Sequence, residues 1–299
     1  MPPILTTSPD PNTKTPKFKC PPGKVDTHIH LFGPAEKYVW DPNTYYTALD
    51  ATPEMNIALQ DKLGFSSSVI VSGGAYGRNY THLSDTLTRF PDRFRGVALI
   101  PDDLSDAEFV RLSKLGVRGM RVFSASRGGV LPTIAETISA RAHEHGWHIQ
   151  FYPHGADVTE FADKLLALPN TIVLDHFASV KAEAGLEQPG FKTLLRMLDT
   201  GKVWVKLSGP MRCAPGDFPY ATVTPMARAL VAHRADRLVF GTDWPHVNMD
   251  GRNVPNDGDL VDLIPEWIED ASARQTILVD NARKLYGFPP VRAEATRKA

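Results

Sequence analysis

The chain has only two cysteines among its 299 residues, Cys20 and Cys213, which is too few for a disulfide framework. It also lacks an apolar run long enough for a membrane span or for the core of a signal peptide. We therefore expect a cytoplasmic protein in a reducing setting, without a membrane partner.

An excess of charge of either sign is absent as well. The formal net charge is -1 and the sequence pI is near 6.8. A near-neutral chain has no global basic field to hold nucleic acid or an anionic membrane surface, so we expect neither as a partner. A small molecule is the expected partner, and charge has to be judged site by site.

Breaks between domains are also missing. Residues 1–22 are rich in Pro and Thr with few large apolar groups, which predicts an N-terminal arm, and residues 291–299 form a similar tail. No low-complexity stretch or charge block divides residues 23–290. With 42% hydrophobic residues over its whole length, the chain has enough apolar material for one large domain.

Short β-branched runs recur along the central part and predict eight strands. These runs are Val25–His30, Ser68–Ser72, Gly96–Ile100, Gly119–Phe123, His148–Tyr152, Thr171–Asp175, Val203–Leu207 and Leu238–Gly241. Amphipathic stretches between and after them predict helices over Tyr80–Phe90, Asp106–Leu115, Thr133–His145, Val158–Leu168, Gly190–Leu198, Thr222–Ala232, Leu260–Glu269 and Ser272–Tyr286.

Eight strand–helix units in about 250 residues favour an α/β fold of the (β/α)8, or TIM, barrel type. A doubly wound open sheet is the main competitor. That fold normally carries a Gly-rich phosphate turn after its first strand, whereas this chain has His30-Leu31-Phe32-Gly33-Pro34 there. The barrel is therefore the preferred prediction.

Polar residues stand at the predicted strand ends, where a barrel gathers its catalytic groups. They are His28, His30, Arg121, Arg127, Tyr152, His154, His176, Lys206, Arg212, Asp243 and His246. His28 and His30 are two residues apart, so an extended strand places both imidazoles on one face. A guanidinium can bind a carboxylate through two parallel hydrogen bonds. Several arginines at the same end of the barrel therefore point to a small dianionic substrate.

Five motifs, spread from about Pro21 to Phe288, resemble the amidohydrolase superfamily and within it a branch of small lactonases. The motifs are Val-Asp-Thr-His-Ile-His (25–30), Val-Arg-Gly-Met-Arg-Val (117–122), Gly-Trp-His-Ile-Gln-Phe-Tyr (146–152), Val-Leu-Asp-His (173–176) and Gly-Thr-Asp-Trp-Pro-His (241–246). The resemblance implies hydrolysis of a carboxylated lactone in aromatic-acid catabolism, with 2-pyrone-4,6-dicarboxylate as the leading substrate.

The resemblance also implies roles for individual residues. Asp243 would take a proton from the attacking water, while His28, His30 and His176 would polarise the lactone carbonyl. The residues expected to bind the substrate are Arg121, Arg127, Arg212, Tyr46, Tyr152 and His246.

Several of these residues also have a simpler structural interpretation. Asp243 could cap a turn, and His28 and His30 could bond to backbone groups. Arg212 could form a loop salt bridge, while Tyr46 and Tyr152 could be packing aromatics. The combination of the His-x-His pair with the aspartate motif favours function over these alternatives.

A binuclear metal centre is disfavoured because Arg121 and Tyr152 occupy the fourth and fifth strands, where the binuclear members of the superfamily carry metal ligands. We expect no required cofactor. One zinc ion on His28, His30, His176 and Asp243 remains the alternative, as in zinc-dependent lactone hydrolases of the sulfomuconolactone type or in a decarboxylase of the superfamily. A non-catalytic anion-binding barrel is the alternative from another class.

Overall fold

The computed structural model describes residues 4–6, 8–44, 46–123, 132–153, 157–214, 216, 218–249 and 253–291. Eight parallel strands pair in chain order into one sheet. They are β1 (Val25–Ile29), β2 (Ser67–Val71), β3 (Phe94–Ala98), β4 (Val117–Phe123), β5 (His148–Tyr152), β6 (Ile172–Leu174), β7 (Val203–Ser208) and β8 (Leu238–Gly241).

The first and last strands meet and nearly close the sheet into a barrel. Asp243 N donates to His28 O at 2.9 Å, and His30 N donates to Trp244 O at 2.7 Å. Ile29 and Trp244 form a parallel bridge at the same place. The predicted (β/α)8 barrel is confirmed, and nearly all strand residues are buried because a barrel covers both faces of its sheet.

Helices cover the outside of the barrel. They are α1 (Pro53–Leu63), α2 (Thr81–Arg89), α3 (Asp106–Leu115), α4 (Pro132–Glu144), α5 (Ala162–Ala167), α6 (Pro189–Asp199), α7 (Val223–Arg234), α8 (Asp257–Asp262), α9 (Ile264–Trp267), α10 (Ala271–Gln275) and α11 (Asn281–Tyr286). Within the described part of the chain, none of them combines the length and the apolar character required to cross a bilayer.

Helix α1 was absent from the sequence prediction, although its ends carry ordinary signals. Thr52 accepts a hydrogen bond from Met55 N at the start of the helix. Its buried face includes Asn56 and Gln60, whose side chains bond to each other, and Gln60 also donates to Ser68 Oγ at 2.7 Å. Polar residues on the core side weaken the apolar periodicity on which helix prediction depends.

Neither of the last two predicted helices is a single regular α-helix. Leu260–Glu269 was predicted as one helix, but α8 ends at Asp262 and α9 starts at Ile264 with Pro265 in its first turn. Proline lacks the N–H that a continuous helix needs, which explains the break. Ser272–Tyr286 is helical throughout, with a π-helical turn at Thr276–Asp280.

The predicted N-terminal arm contacts the barrel at several points. Ile4–Leu5 pairs in parallel with Tyr46–Thr47. Lys14 N donates to Asn256 Oδ1 at 2.9 Å, and Phe18 N donates to Asp262 Oδ1 at 2.8 Å. Phe18 and Cys20 also pack, partly buried, against the hydrophobic core, so both hydrogen bonds and apolar contacts hold this segment to the barrel.

Candidate active site

Three histidines converge on one carboxylate at the carboxyl end of the barrel. His28 and His30 come from the end of β1, His176 follows β6, and Asp243 follows β8. Their Nε2 atoms lie 3.6, 3.4 and 3.7 Å, respectively, from Asp243 Oδ1. The structure thus brings together all four residues predicted to be catalytic.

The backbone around these residues is strained. Asp243 has φ 71°, and the four consecutive residues His176–Ser179 all have φ between 50° and 55°. L-residues avoid this left-handed region at a cost of roughly 1–2 kcal/mol each, and such strain concentrates at functional sites. The packing around His176 also requires glycine at position 209, because a Cβ there would lie only 2.6 Å from His176 Nδ1.

The hydrogen bonds of His30 decide which of its nitrogens carries the proton. Its Nδ1 lies 2.7 Å from Val71 O, and a carbonyl only accepts, so Nδ1 must be the donor. Burial lowers the pKa of His30, which favours the neutral ring. A neutral His30 therefore presents a lone pair from Nε2 toward Asp243.

The other two histidines are also held in their neutral forms. Burial lowers the pKa of His28 well below its ordinary value and the pKa of His176 to about 4. His28 Nε2 is buried without a hydrogen-bond partner among the described residues. An unpartnered polar atom beside a carboxylate is expected where a ligand belongs.

Arg212 holds the other oxygen of Asp243. Its Nε and Nη2 atoms donate to Asp243 Oδ2 at 3.1 and 2.9 Å, and further donors reach the carbonyls of Val247 and Asn248. Burial alone would raise the pKa of Asp243, but Arg212 and His176 outweigh it and hold the pKa well below its usual range. Asp243 is ionised at neutral pH, with Oδ1 directed at the histidines.

A second buried carboxylate lies beneath this cluster. Asp175 Oδ1 is 3.2 Å from His28 Nδ1 and 3.4 Å from Lys206 Nζ, and Asp175 Oδ2 is 3.4 Å from Arg121 Nη2. Gln150 donates to the same carboxylate at 3.2 Å. Burial would raise the pKa of Asp175, but His28, Lys206 and Arg121 lower it well below its ordinary value.

This layer contains residues that the predicted site omitted, namely Asp175, Gln150 and Lys206. Lys206 is fully buried, and burial lowers its pKa to about 8 although Asp175 opposes the shift. A lysine inside the apolar run Val203–Leu207 could have indicated a buried polar partner, because a buried amine needs a hydrogen-bond acceptor or a counter-charge. Sequence alone did not identify Asp175 as that partner.

The residues predicted to bind substrate differ from one another in their surroundings. Arg121 is buried on β4 with its Nε lacking an acceptor among the described residues, and Arg212 pairs with Asp243. Tyr152 packs its ring edge-on against His176 with centroids 5.0 Å apart, and burial raises its pKa to about 12. Arg127 lies outside the described residues.

Tyr46 and His246 complete the predicted set. Tyr46 is buried near the end of β2, where a Cβ on Gly73 would collide with its hydroxyl group. His246 is bonded to the loop of Asp243, since His246 N donates to Asp243 O at 2.8 Å. Its Nε2 lies 3.0 Å from Asp257 Oδ1, a partner that the sequence did not indicate.

The site can hold a single cation as well as activate a water molecule. Imidazole nitrogens and a carboxylate are ligands that Zn²⁺ accepts. Side-chain donors of His28, His30 and Asp243 lie within 4.8 Å of one another, as do those of His28, Asp175 and His176. Equally, an ionised carboxylate beside neutral imidazoles is suited to proton abstraction from water.

A parallel barrel with polar groups converging at the carboxyl ends of its strands defines the class of (β/α)8 enzymes. The family model described as amidohydrolase matches residues 25–288. The chain belongs to the amidohydrolase family, and it is a hydrolase.

Similar proteins cover almost the whole chain. The 2-pyrone-4,6-dicarboxylate hydrolase of Comamonas testosteroni is 35% identical over 92% of this chain and 93% of its own length. A 4-sulfomuconolactone hydrolase of Hydrogenophaga intermedia is 33% identical over 91% of each chain. An apo crystal structure from Agrobacterium tumefaciens superposes with a TM-score of 0.84 at 27% identity, covering 92% of this chain and 100% of that one.

Proposed function

We propose that this enzyme hydrolyses a dianionic lactone, with 2-pyrone-4,6-dicarboxylate as the leading candidate. The observation that carries the proposal is the ionised Asp243, whose Oδ1 lies among three imidazoles while Arg212 holds its Oδ2. The two relatives that are about a third identical are hydrolases of such lactones by name, which supports this substrate class.

The proposed chemistry begins with water beside Asp243. The carboxylate takes a proton as the water oxygen attacks the lactone carbonyl. The ring C–O bond then breaks, the leaving oxygen takes that proton from Asp243 to become an enol, and the new carboxylic acid ionises. An enol is a good leaving group, so the lactone is already activated. Arg121, with an N–H that lacks an acceptor among the described residues, is proposed to bind a substrate carboxylate.

The tautomer of His30 refines the role proposed for it. Because Nδ1 donates to Val71 O, neutral His30 accepts at Nε2 and cannot polarise the lactone carbonyl by donating from that atom. We propose that it accepts a hydrogen bond from the attacking water and so orients that water toward the carbonyl. His28 Nδ1 faces the ionised Asp175 and so carries the proton of that ring in the same way. Donation to the carbonyl is then assigned to His176, whose Nδ1 can accept from the Ser208 hydroxyl.

A zinc-dependent version of the same hydrolysis is the second candidate, and the geometry gives it specific support. The unpartnered Nε2 of His28, the lone pair of His30 and Asp243 Oδ1 lie together without a proton donor between them. His28, His30, His176 and Asp243 would hold the ion. When bound, zinc would polarise the carbonyl and lower the pKa of water.

A turnover screen over carboxylated lactones, run with and without a chelator, tests both versions. Hydrolysis of 2-pyrone-4,6-dicarboxylate or a sulfonated muconolactone supports the lactonase proposal. Activity that survives chelation, in protein with less than stoichiometric metal by elemental analysis, supports the metal-free version. Activity that is lost on chelation and restored by Zn²⁺ establishes the second version instead.

The non-catalytic alternative predicts a different result in the same screen. An anion-binding barrel would bind dianionic lactones in calorimetry without opening the ring under either condition. The ionised Asp243 argues against it, because a protein that only binds anions has no use for a buried carboxylate at the centre of its site. Binding without turnover across the panel would nevertheless overturn the lactonase proposal.

A further inference from the structure

Lys24 is a buried amine, immediately before β1, that no described carboxylate approaches within ion-pair distance. Its Nζ lies 2.7 Å from Cys20 Sγ, 3.1 Å from Leu63 O and 3.5 Å from the centroid of the Phe65 ring. The side chain is inaccessible to solvent. Burying an ammonium ion without a counter-charge is costly, so these surroundings favour a neutral amine.

The contact between the amine and the thiol is short. Hydrogen bonds from N–H to oxygen span about 2.7–3.2 Å, and sulfur is a larger atom than oxygen, so 2.7 Å between Nζ and Sγ is close for an ordinary hydrogen bond. A single oxygen atom bonded to both would hold nitrogen and sulfur at a similar separation. The pair is therefore arranged for a covalent link through one oxygen.

Access differs between the two groups. Cys20 is partly exposed, so a small oxidant can reach its sulfur, and the amine of Lys24 lies 2.7 Å beyond that sulfur. Burial lowers the pKa of Lys24, which increases the fraction of the nucleophilic neutral form. An oxidant that enters past Cys20 would thus meet a neutral amine, the form whose nitrogen peroxide can oxidise.

We propose that Cys20 and Lys24 form an oxidative cross-link in which one oxygen atom joins Sγ to Nζ. Two molecules of hydrogen peroxide supply the oxidation. One converts S–H to S–OH and the other converts N–H to N–OH, each with release of one water. Condensation of the two hydroxyl groups then forms S–O–N and releases a third water, so sulfur and nitrogen each lose two electrons.

The link is reversible by thiols. Two molecules of dithiothreitol return the free thiol and the free amine, release the bridging oxygen as water and become two cyclic disulfides. The cross-link would join the N-terminal arm to the first residue before β1, the strand whose other end carries His28 and His30. It is independent of the proposed lactone chemistry, because neither group lies in that site.

Mass spectrometry of the full-length protein tests the proposal. After treatment with hydrogen peroxide, we expect the intact mass to rise by one oxygen less two hydrogens. Trypsin should then fail to cleave after Lys24, and dithiothreitol should restore both the mass and the cleavage. The Cys20→Ser and Lys24→Arg variants should each lose this mass change.

The second cysteine provides the matched control. Cys213 is buried, its Sγ donates to His176 O at 3.1 Å, and none of its described hydrogen bonds involves a lysine. The Cys213→Ser variant should therefore form the link as the unmodified protein does. Whole-oxygen additions at Cys20 with normal cleavage after Lys24, a loss of two hydrogens without oxygen, or an unreacted Cys20 would overturn the proposal.

Discussion

Asp243 is the residue on which the site converges, and its two oxygens have different partners. Arg212 occupies Oδ2, while Oδ1 remains within 3.7 Å of three imidazole nitrogens. Two N–H groups of the Arg212 guanidinium donate to Oδ2, so this oxygen is held in place before substrate arrives and Oδ1 stays among the imidazoles. Such preorganisation reduces the reorganisation that proton abstraction would otherwise require.

Replacing this carboxylate gives the first prediction. We expect Asp243→Asn to lower kcat by about 10²- to 10⁴-fold, the usual contribution of a general base, with a smaller change in KM. Asparagine can still accept from Arg212, so circular dichroism should show an unchanged fold. Steady-state kinetics measure the effect, and elemental analysis shows whether metal binding changed too. A variant within tenfold of the parent kcat would remove Asp243 as the base.

Arg121 gives the second prediction. We expect Arg121→Met to raise KM for a dianionic lactone by about 10- to 100-fold, since hydrogen bonds to charged groups contribute about 1.5–3 kcal/mol. Arg118→Met is the matched control, because Arg118 bonds only to the carbonyls of Ser113 and Val117 among the described contacts. Similar KM values in the two variants would reject the carboxylate-binding role.

The loss of Arg121 also has a structural consequence that must be measured separately. Arg121 is one of the cations beside the buried Asp175, so its removal leaves that carboxylate with Lys206 as its remaining cationic neighbour. Urea unfolding of the Arg121→Met variant therefore accompanies the kinetics. A rise in KM in protein that unfolds at the parental midpoint assigns the effect to substrate binding.

At the scale of elements, the junction of β1 and β8 determines the geometry of the site. Asp26 connects the two strands: its Oδ1 accepts from His28 N at 3.1 Å and from Thr242 N at 3.0 Å, and its Oδ2 accepts from Thr242 Oγ1 at 2.6 Å. A Cβ on Gly241 would lie 2.7 Å from that of His28. The close approach of the two strands requires this glycine.

The third prediction concerns this junction. Asp26→Ala leaves two buried N–H groups without an acceptor, at a cost of about 1–3 kcal/mol each, so the free energy of unfolding should fall by several kcal/mol. Asp26→Asn keeps one acceptor oxygen and should lose less. Urea denaturation measures both variants. If Asp26→Ala were as stable as the parent, the junction would not depend on this side chain.

At the scale of the whole molecule, buried neutral histidines make stability depend on pH. Burial lowers the pKa of His176 to about 4, of His82 to about 4 and of His148 to about 3, against 6.5 for an exposed imidazole. The folded protein keeps its full stability with respect to these groups above pH 6.5. It loses stability as the pH falls from 6.5 toward 4, because in that range only the unfolded chain binds protons at these histidines.

One carboxyl group opposes this trend. Burial raises the pKa of Asp26 to about 6, so its contribution to stability is largest at acidic pH and is lost as pH rises through 6. Three histidines with lowered pKa values act against this single carboxyl group, so their effect on stability is the larger one. We therefore predict, as the fourth prediction, that the free energy of unfolding falls between pH 6.5 and pH 4, by about 1.4 kcal/mol per pH unit for each uncompensated group.

Urea denaturation over this pH range measures the slope. His148→Gln is the informative variant, since His148 lies at the start of β5, away from the catalytic cluster. It should show a shallower loss of stability with acidification than the parent. Equal slopes in the two proteins would exclude His148 as one of the titrating groups.

The fold was predictable because its signals are local. The eight β-branched runs mark the strands to within about two residues, and Gly64 and Gly116 end α1 and α3 in the left-handed conformation expected of such residues. Helix α1 escaped prediction because Asn56 and Gln60 satisfy each other inside the core. That pairing depends on the folded helix, so the sequence pattern contains no trace of it.

The amino-acid sequence by itself determined the barrel, the His-x-His strand end and the Asp243 motif, because alternation and turn chemistry act between near neighbours along the chain. Only the tertiary structure decided which partners these groups have. It assigned Arg212 to Asp243, Asp175 to Arg121 and Lys206, and Val71 O to His30. These contacts join residues that are far apart in the chain, and charge state and tautomer follow from them.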